Sequence, residues 1–193
     1  MFETVVIVCL GVGLAAACGF RVFVPMLVLA VAAKADYVTL AEGFQWIGDW
    51  PAIVVFAVAT VLEIGAYYLP WLDNLLDTIS TPAAAIAGVV VAAACVYDMH
   101  PLLKWSLAII AGGGAAGTIK VGLAGLRLGS TTTTGGTANF LVSTFEWLAS
   151  IVMSVLAVFV PIVAAIIAVV LTVFLVRFAL RIAARFRKKE SAA

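Results

Sequence analysis

Apolar residues run almost unbroken along this 193-residue chain, and its polar positions gather into short groups where the runs stop. Twenty residues from Thr78 to Tyr97 and thirty from Trp147 to Val176 carry no charge, against about 20 needed to cross a hydrocarbon core. The pattern predicts an all-α polytopic membrane protein with about six transmembrane helices, over 4–33, 51–69, 82–98, 102–126, 142–160 and 162–184. The count becomes five if Pro161 kinks one long helix instead of separating two. The expected organisation is a single transmembrane domain, 1–184, followed by a basic tail, 185–193.

Two of these segments are irregular. As one helix, the first would be about 45 Å long, against a core of roughly 30 Å, and must tilt or break. Gly19-Phe20-Arg21 and Pro25 offer the break, because Gly frees the backbone and Pro removes a donor. The other is Ala111 to Gly117, with Gly112, Gly113, Gly114 and Gly117, followed by Lys120. Small residues at this density suit either close helix packing or an unwound segment lining a cavity. A shift of 101 positions aligns Gly11, Gly13, Ala15, Phe44 and Trp46 with Gly112, Gly114, Ala116, Phe145 and Trp147. Two three-helix units, 1–98 and 102–184, would then form a 3+3 inverted repeat with broken helices, a plan common among transporters.

Composition agrees with a bilayer: 65% of residues are hydrophobic and 11% charged, with a mean hydropathy of +1.23, where a soluble domain carries about 25% charge. Met1-Phe2-Glu3 lacks the basic start of a secretory signal, which makes the first segment a retained span. Cys9, Cys18 and Cys95 lie in apolar runs without a CxxC pair and read as reduced packing residues. Net charge is only +1, yet six of the eleven basic residues (Arg177, Arg181, Arg185, Arg187, Lys188, Lys189) crowd the C-terminus. Basic residues beside a span favour the cytoplasmic side, so the C-terminus is expected inside, and six spans would place the N-terminus there too. The tail suits anionic lipid rather than nucleic acid, since no aromatic-rich or soluble binding module accompanies it.

Charges within apolar runs are costly in a bilayer and direct the search for chemistry. Arg21 sits inside the first run and Glu63 near the end of the second. Glu63 is a candidate partner for Arg21 or Lys120, a proton-coupling group, or an interfacial residue. The densest polar group is Tyr67 to Thr78, where Pro70 can open a helix and bring Asp73 and Asp77 onto one face beside Asn74. Those groups could bind a cation or an amine, or serve as first-turn acids at the membrane surface. Thr81-Pro82 restarts a run of small packing residues. Arg127, Ser130, Thr134, Gly135, Gly136 and Asn139 join a cation to hydroxyls and glycines, as in a loop that binds an anion or a head-group phosphate, or as in a plain surface loop. His100 stands alone, and no catalytic triad, HExxH or metal-ligand spacing is present. The expectation is therefore no enzyme, no cofactor and no metal.

At these residues the chain resembles the bacterial membrane family known as domain of unknown function 4126. The matching pieces are Gly19-Phe20-Arg21 with Pro25, Pro70 through Thr78 with Thr81-Pro82, and Ser130 through Gly136 with Asn139. Where the family pattern continues Gly-Asn-Pro after its paired glycines, this chain has Thr137-Ala138-Asn139. The resemblance implies an integral protein of the bacterial inner membrane and carries no activity with it. The residues themselves favour a small transporter or channel for an ion or small polar or anionic solute. Arg21, Lys120 and Arg127 would hold an anionic group, Asp73 and Asp77 would coordinate a coupling cation or gate, and Glu63 would be the counter-charge. The rival reading is a non-transporting scaffold that binds lipid or a protein partner and self-associates through small-residue faces.

Overall fold

The computed structural model describes residues 2–66, 70–134 and 139–190, and side chains over 2–66, 79–130, 132 and 141–181. The described residues form helices and no strand: α1 (Phe2–Phe20), α2 (Phe23–Lys34), α3 (Trp50–Ala66), α4 (Pro70–Cys95), α5 (Pro101–Leu107), α6 (Gly114–Thr134), α7 (Asn139–Phe159) and α8 (Pro161–Glu190). A π-helical turn, Ala108–Gly113, joins α5 to α6 without a break, and a 3-10 turn, Gln45–Gly48, precedes α3. Among the described residues, four stretches are long and apolar enough to cross a bilayer: Phe2–Phe20, Pro101–Ser130, Leu141–Phe159 and Pro161–Arg181.

α1 is the central helix, with Leu14 to Cys18 wholly buried and α4, α6, α7 and α8 packed around it. Small residues permit this, because in lipid the attraction between helices comes from close packing rather than from expelling water. A Cβ on Gly19 would sit 2.7 Å from the Ala116 carbonyl oxygen of α6. Gly88 of α4 and Gly112 of the π turn cross backbone to backbone, each 2.7 Å from the other's carbonyl oxygen by the same construction. The glycine-rich stretch is therefore a packing surface on a continuous helix, not an unwound segment.

The expected first span is not one tilted helix but two that run in opposite directions. α1 ends at Phe20, and α2 carries the chain back toward the end where it began. Tyr37, just past α2, stacks edge-on against Phe159 with centroids 5.7 Å apart. Ala41 N–H reaches the Ala94 carbonyl at 2.8 Å, at the end of the bundle where Ala92 and Cys95 flank Gly11 and Tyr97 bonds Glu3. Asp36, at φ 59°, closes α2 in the left-handed conformation, with Tyr37 N–H to Ala32 and Asp36 N–H to Ala33 satisfying two of the last carbonyls.

Two further expectations change, and the alternative left open at Pro161 is decided in favour of two helices. α4 continues through Pro82 from Pro70 to Cys95, so Pro82 does not start a span; a missing N–H removes one hydrogen bond without forcing a stop. Pro161 separates two antiparallel helices: Gly13 is flanked by Ala157 before it and Ala164 after it, and Met153 and Ala168 share one cluster with Ala16 and Ala17. α8 therefore runs in the direction of α1. The start of α1 and the end of α8 lie at opposite ends of the bundle, contrary to the even parity that six spans would impose.

Candidate functional site

The break between α1 and α2 creates a specific problem, because two helix ends meet inside the protein. The first N–H groups of a helix have no partner within it, and Val22, the N-cap of α2, supplies no side-chain cap. Glu63 reaches across from α3 to fill that role. Its Oε1 accepts from Val22 N–H at 3.0 Å and its Oε2 from Phe23 N–H at 3.2 Å. A carboxylate at an N-terminus also meets the positive end of the helix dipole. Glu63 is buried, and it serves the α2 backbone rather than pairing with Arg21 or Lys120. Pro25 falls in the first turn of α2, where its absent N–H removes nothing the helix uses.

Arg21, the first residue beyond α1, projects into a charge cluster made with α6 and α7. Arg127 holds Glu146 in a two-point grip, Nε donating to Oε1 at 3.0 Å and Nη2 to Oε2 at 2.6 Å. Arg21 Nη2 lies 3.3 Å from the same Oε2 and donates to the Ser143 carbonyl at 3.1 Å. Arg127 Nη2 also donates to the Ser143 hydroxyl at 3.1 Å. The three side chains are 2%, 4% and 0% exposed for Arg21, Arg127 and Glu146. Glu146 stands five residues past the start of the apolar stretch Leu141–Phe159, about 8 Å along the helix. The grouping is thus inside the apolar layer, and charges there are retained only when paired.

Below Glu146, the same face of α7 carries Ser150 and Ser154, both fully buried. The Ser150 hydroxyl donates to the Ala17 carbonyl at 3.2 Å and that of Ser154 to the Ser150 carbonyl at 2.7 Å. Ser143, Glu146, Ser150 and Ser154 are three, four and four residues apart, the spacing of one helix face. This stripe fastens α7 to α1 beside the break.

Of the candidates named from the sequence, Arg21 and Arg127 come together across 106 positions, joined through Glu146, while Glu63 anchors the break beside them. Lys120 is buried, 3% exposed, on the face of α6 that carries Arg127 two turns on. Ser130 lies near the end of α6, half-buried. The stretch from Arg127 to Thr134 is helical rather than an anion-cradling loop, since its N–H groups are taken up by the helix and the Thr132 hydroxyl bonds back to the Gly129 carbonyl at 2.9 Å. Asp73, Asn74 and Asp77 fall on α4, Thr134 on α6 and Asn139 on α7 with their side chains outside the described set, and Gly135 and Gly136 lie outside the described residues altogether. Pro70 opens α4, a full-length helix rather than a short one. His100 caps α5, accepting from Leu102 N–H at 3.4 Å. Among the described residues no group of His, Cys, Asp and Glu could hold a metal ion.

Glu146 was not among the sequence candidates, although the sequence does mark it. It is the only charged residue between Arg127 and Arg177, and serines flank it at helical spacing.

A family model described as Domain of unknown function (DUF4126) matches residues 8–181. No curated protein and no solved structure matches the chain.

Proposed function

The chain belongs to the DUF4126 family, and from that premise we propose that it is a small membrane transporter or channel for an ion or a small polar or anionic solute, with no catalytic chemistry of its own. The observation that carries the reading is the buried Arg21–Glu146–Arg127 cluster at a helix break. Transporter sites use such breaks because helix ends and fixed charges there can meet a polar solute in an apolar layer. In the conformation described, Glu146 occupies the guanidinium faces. An anionic solute would enter by competing with that carboxylate for Arg21 and Arg127, with Lys120 one stretch of helix away. Asp73 and Asp77 keep their proposed role in binding a coupling cation or gating. Glu63 holds the α1–α2 hairpin in register while α7 moves.

The same reading includes the inner membrane of a bacterium and self-association through small-residue faces. It also includes an orientation. Glu3, Asp36, Glu42, Asp49 and Asp98 gather at the end that holds the start of α1, whereas Arg177 and Arg181 continue into the basic tail at the other. Positive residues favour the cytoplasm, which puts the C-terminus inside and the N-terminus outside.

A scaffold is the second reading, and the closure of the cluster favours it: a fully buried Glu146 satisfied by two arginines would also serve purely to clamp α1, α6 and α7 together. Flux measurements in proteoliposomes separate the two. Wild type is compared with Arg21→Ala and Glu146→Gln at matched insertion, over a panel of inorganic ions and small carboxylates. Wild-type flux that both substitutions abolish supports transport through the cluster. A wild type that moves nothing on the panel removes the transport reading and leaves the clamp.

A further inference from the structure

We propose that the lipid-facing groove along α8 is a binding site for one anionic glycerophospholipid, a function separate from any traffic through the Arg21–Glu146–Arg127 cluster. Two adjoining depressions, of about 290 and 410 Å³, share Val169 and Val173 and so form one groove. The inner part runs between α1, the π turn and α8 over a floor of small residues, Ala111, Gly114, Ala115 and Ala168. The outer part ends at Arg177 and Arg181, one helical turn apart on a single face. Neither arginine has a carboxylate partner among the described residues.

Between the two parts is Thr172, whose buried hydroxyl has no hydrogen-bond partner among the described residues. It lies five residues before Arg177, about 7.5 Å along the axis. The groove therefore presents a guanidinium pair at one end and an apolar trough beyond it, with the Thr172 hydroxyl buried in its wall. A phospholipid presents an anionic phosphate and then its acyl chains in the same order. An arginine pair at the end of an apolar trough also selects against a zwitterionic head group, because two cations near an anionic lipid each add to its binding. Gly114 makes the trough: a Cβ there would meet nothing within 4 Å, so the open space belongs to the groove and not to a neighbouring helix.

The test is native mass spectrometry of the full chain with phosphatidylglycerol or phosphatidylcholine. Wild type is expected to retain one phosphatidylglycerol in preference to phosphatidylcholine. Arg177→Gln with Arg181→Gln should lower phosphatidylglycerol affinity roughly 30-fold and erase the preference. Gly114→Leu starts from a Cβ position clear of protein atoms and fills the trough, and should reduce retention of both lipids at least about tenfold with the protein still folded and inserted. Equal retention of the two lipids by wild type, or retention indifferent to both variants, overturns the proposal. A dimer mass that Gly114→Leu abolishes also overturns it and assigns the groove to a second copy of the chain.

Discussion

Replacing Glu146 by Gln keeps the volume of the side chain and removes its charge. In the structure that charge is shared by Arg127, through contacts of 2.6 and 3.0 Å, and by Arg21 at 3.3 Å. Both guanidiniums stay buried after the substitution and lose an anion that they share. Breaking a buried pair from one side costs about 3–5 kcal/mol, and here one carboxylate serves two cations, so the upper half of that range is expected. For a chain of this size, about 2–4 °C per kcal/mol converts this into a fall in melting temperature of roughly 8–20 °C. Arg127→Met alone should cost less, because Arg21 remains to meet Glu146. The double variant should be less destabilised than the sum of the singles by about 1–3 kcal/mol, the signature of residues acting as one network. Thermal unfolding followed by tryptophan fluorescence, with Trp147 adjacent to the site, reads all four corners of the cycle. A Glu146→Gln melting temperature within about 2 °C of wild type would falsify the buried network, and so would strict additivity.

Glu63→Ala removes the carboxylate that caps α2 and should cost about 1–2 kcal/mol; hydrogen exchange should quicken at the Val22 and Phe23 amides first, and unchanged exchange there would contradict the capping role. Gly88→Leu drives a side chain into the Gly112 backbone and should destabilise by about 1–3 kcal/mol or more, whereas the same change at Gly65, where a Cβ meets nothing within 4 Å, should be close to neutral. If Gly65→Leu proves as damaging, the crossing of α4 and the π turn is not what requires glycine. Single cysteines introduced at residue 4 and at residue 190, in a background free of the native cysteines, should label from opposite faces of a sealed vesicle. Labelling from one face would refute the reversal at Arg21-Val22.

Much of the architecture was legible in the chain because bilayer solvation acts locally. Each backbone group in an apolar layer must be satisfied within its own segment, so the runs around Val152, Ile167 and Val91 announce helices whatever they pack against. The break at Gly19-Phe20-Arg21 was equally readable, since glycine and a lone arginine disturb an apolar helix wherever they occur. What those residues could not reveal was the angle. A break is a local event, but whether α2 continues or returns is decided by remote partners: Glu63 on α3, which accepts the freed N–H groups, and the Ala94 carbonyl, which accepts from Ala41. That single angle changes the parity of the whole bundle. Pro82 and Pro161 illustrate the same limit, for both lack an N–H, yet the helix continues through one and the chain reverses at the other.

The site divides along the same line. Arg21, Glu63, Lys120 and Arg127 stand out in one dimension because charge in an apolar run is expensive. Their pairing does not, because a salt bridge depends on three-dimensional proximity and Arg21 lies 125 residues from Glu146. The chain by itself determined that each of these charges, if buried, had to find a polar partner. Only the packing of α1 against α6 and α7, made close by Gly19 and the small residues around it, determined that Glu146 answers both arginines while Glu63 turns to the backbone of α2.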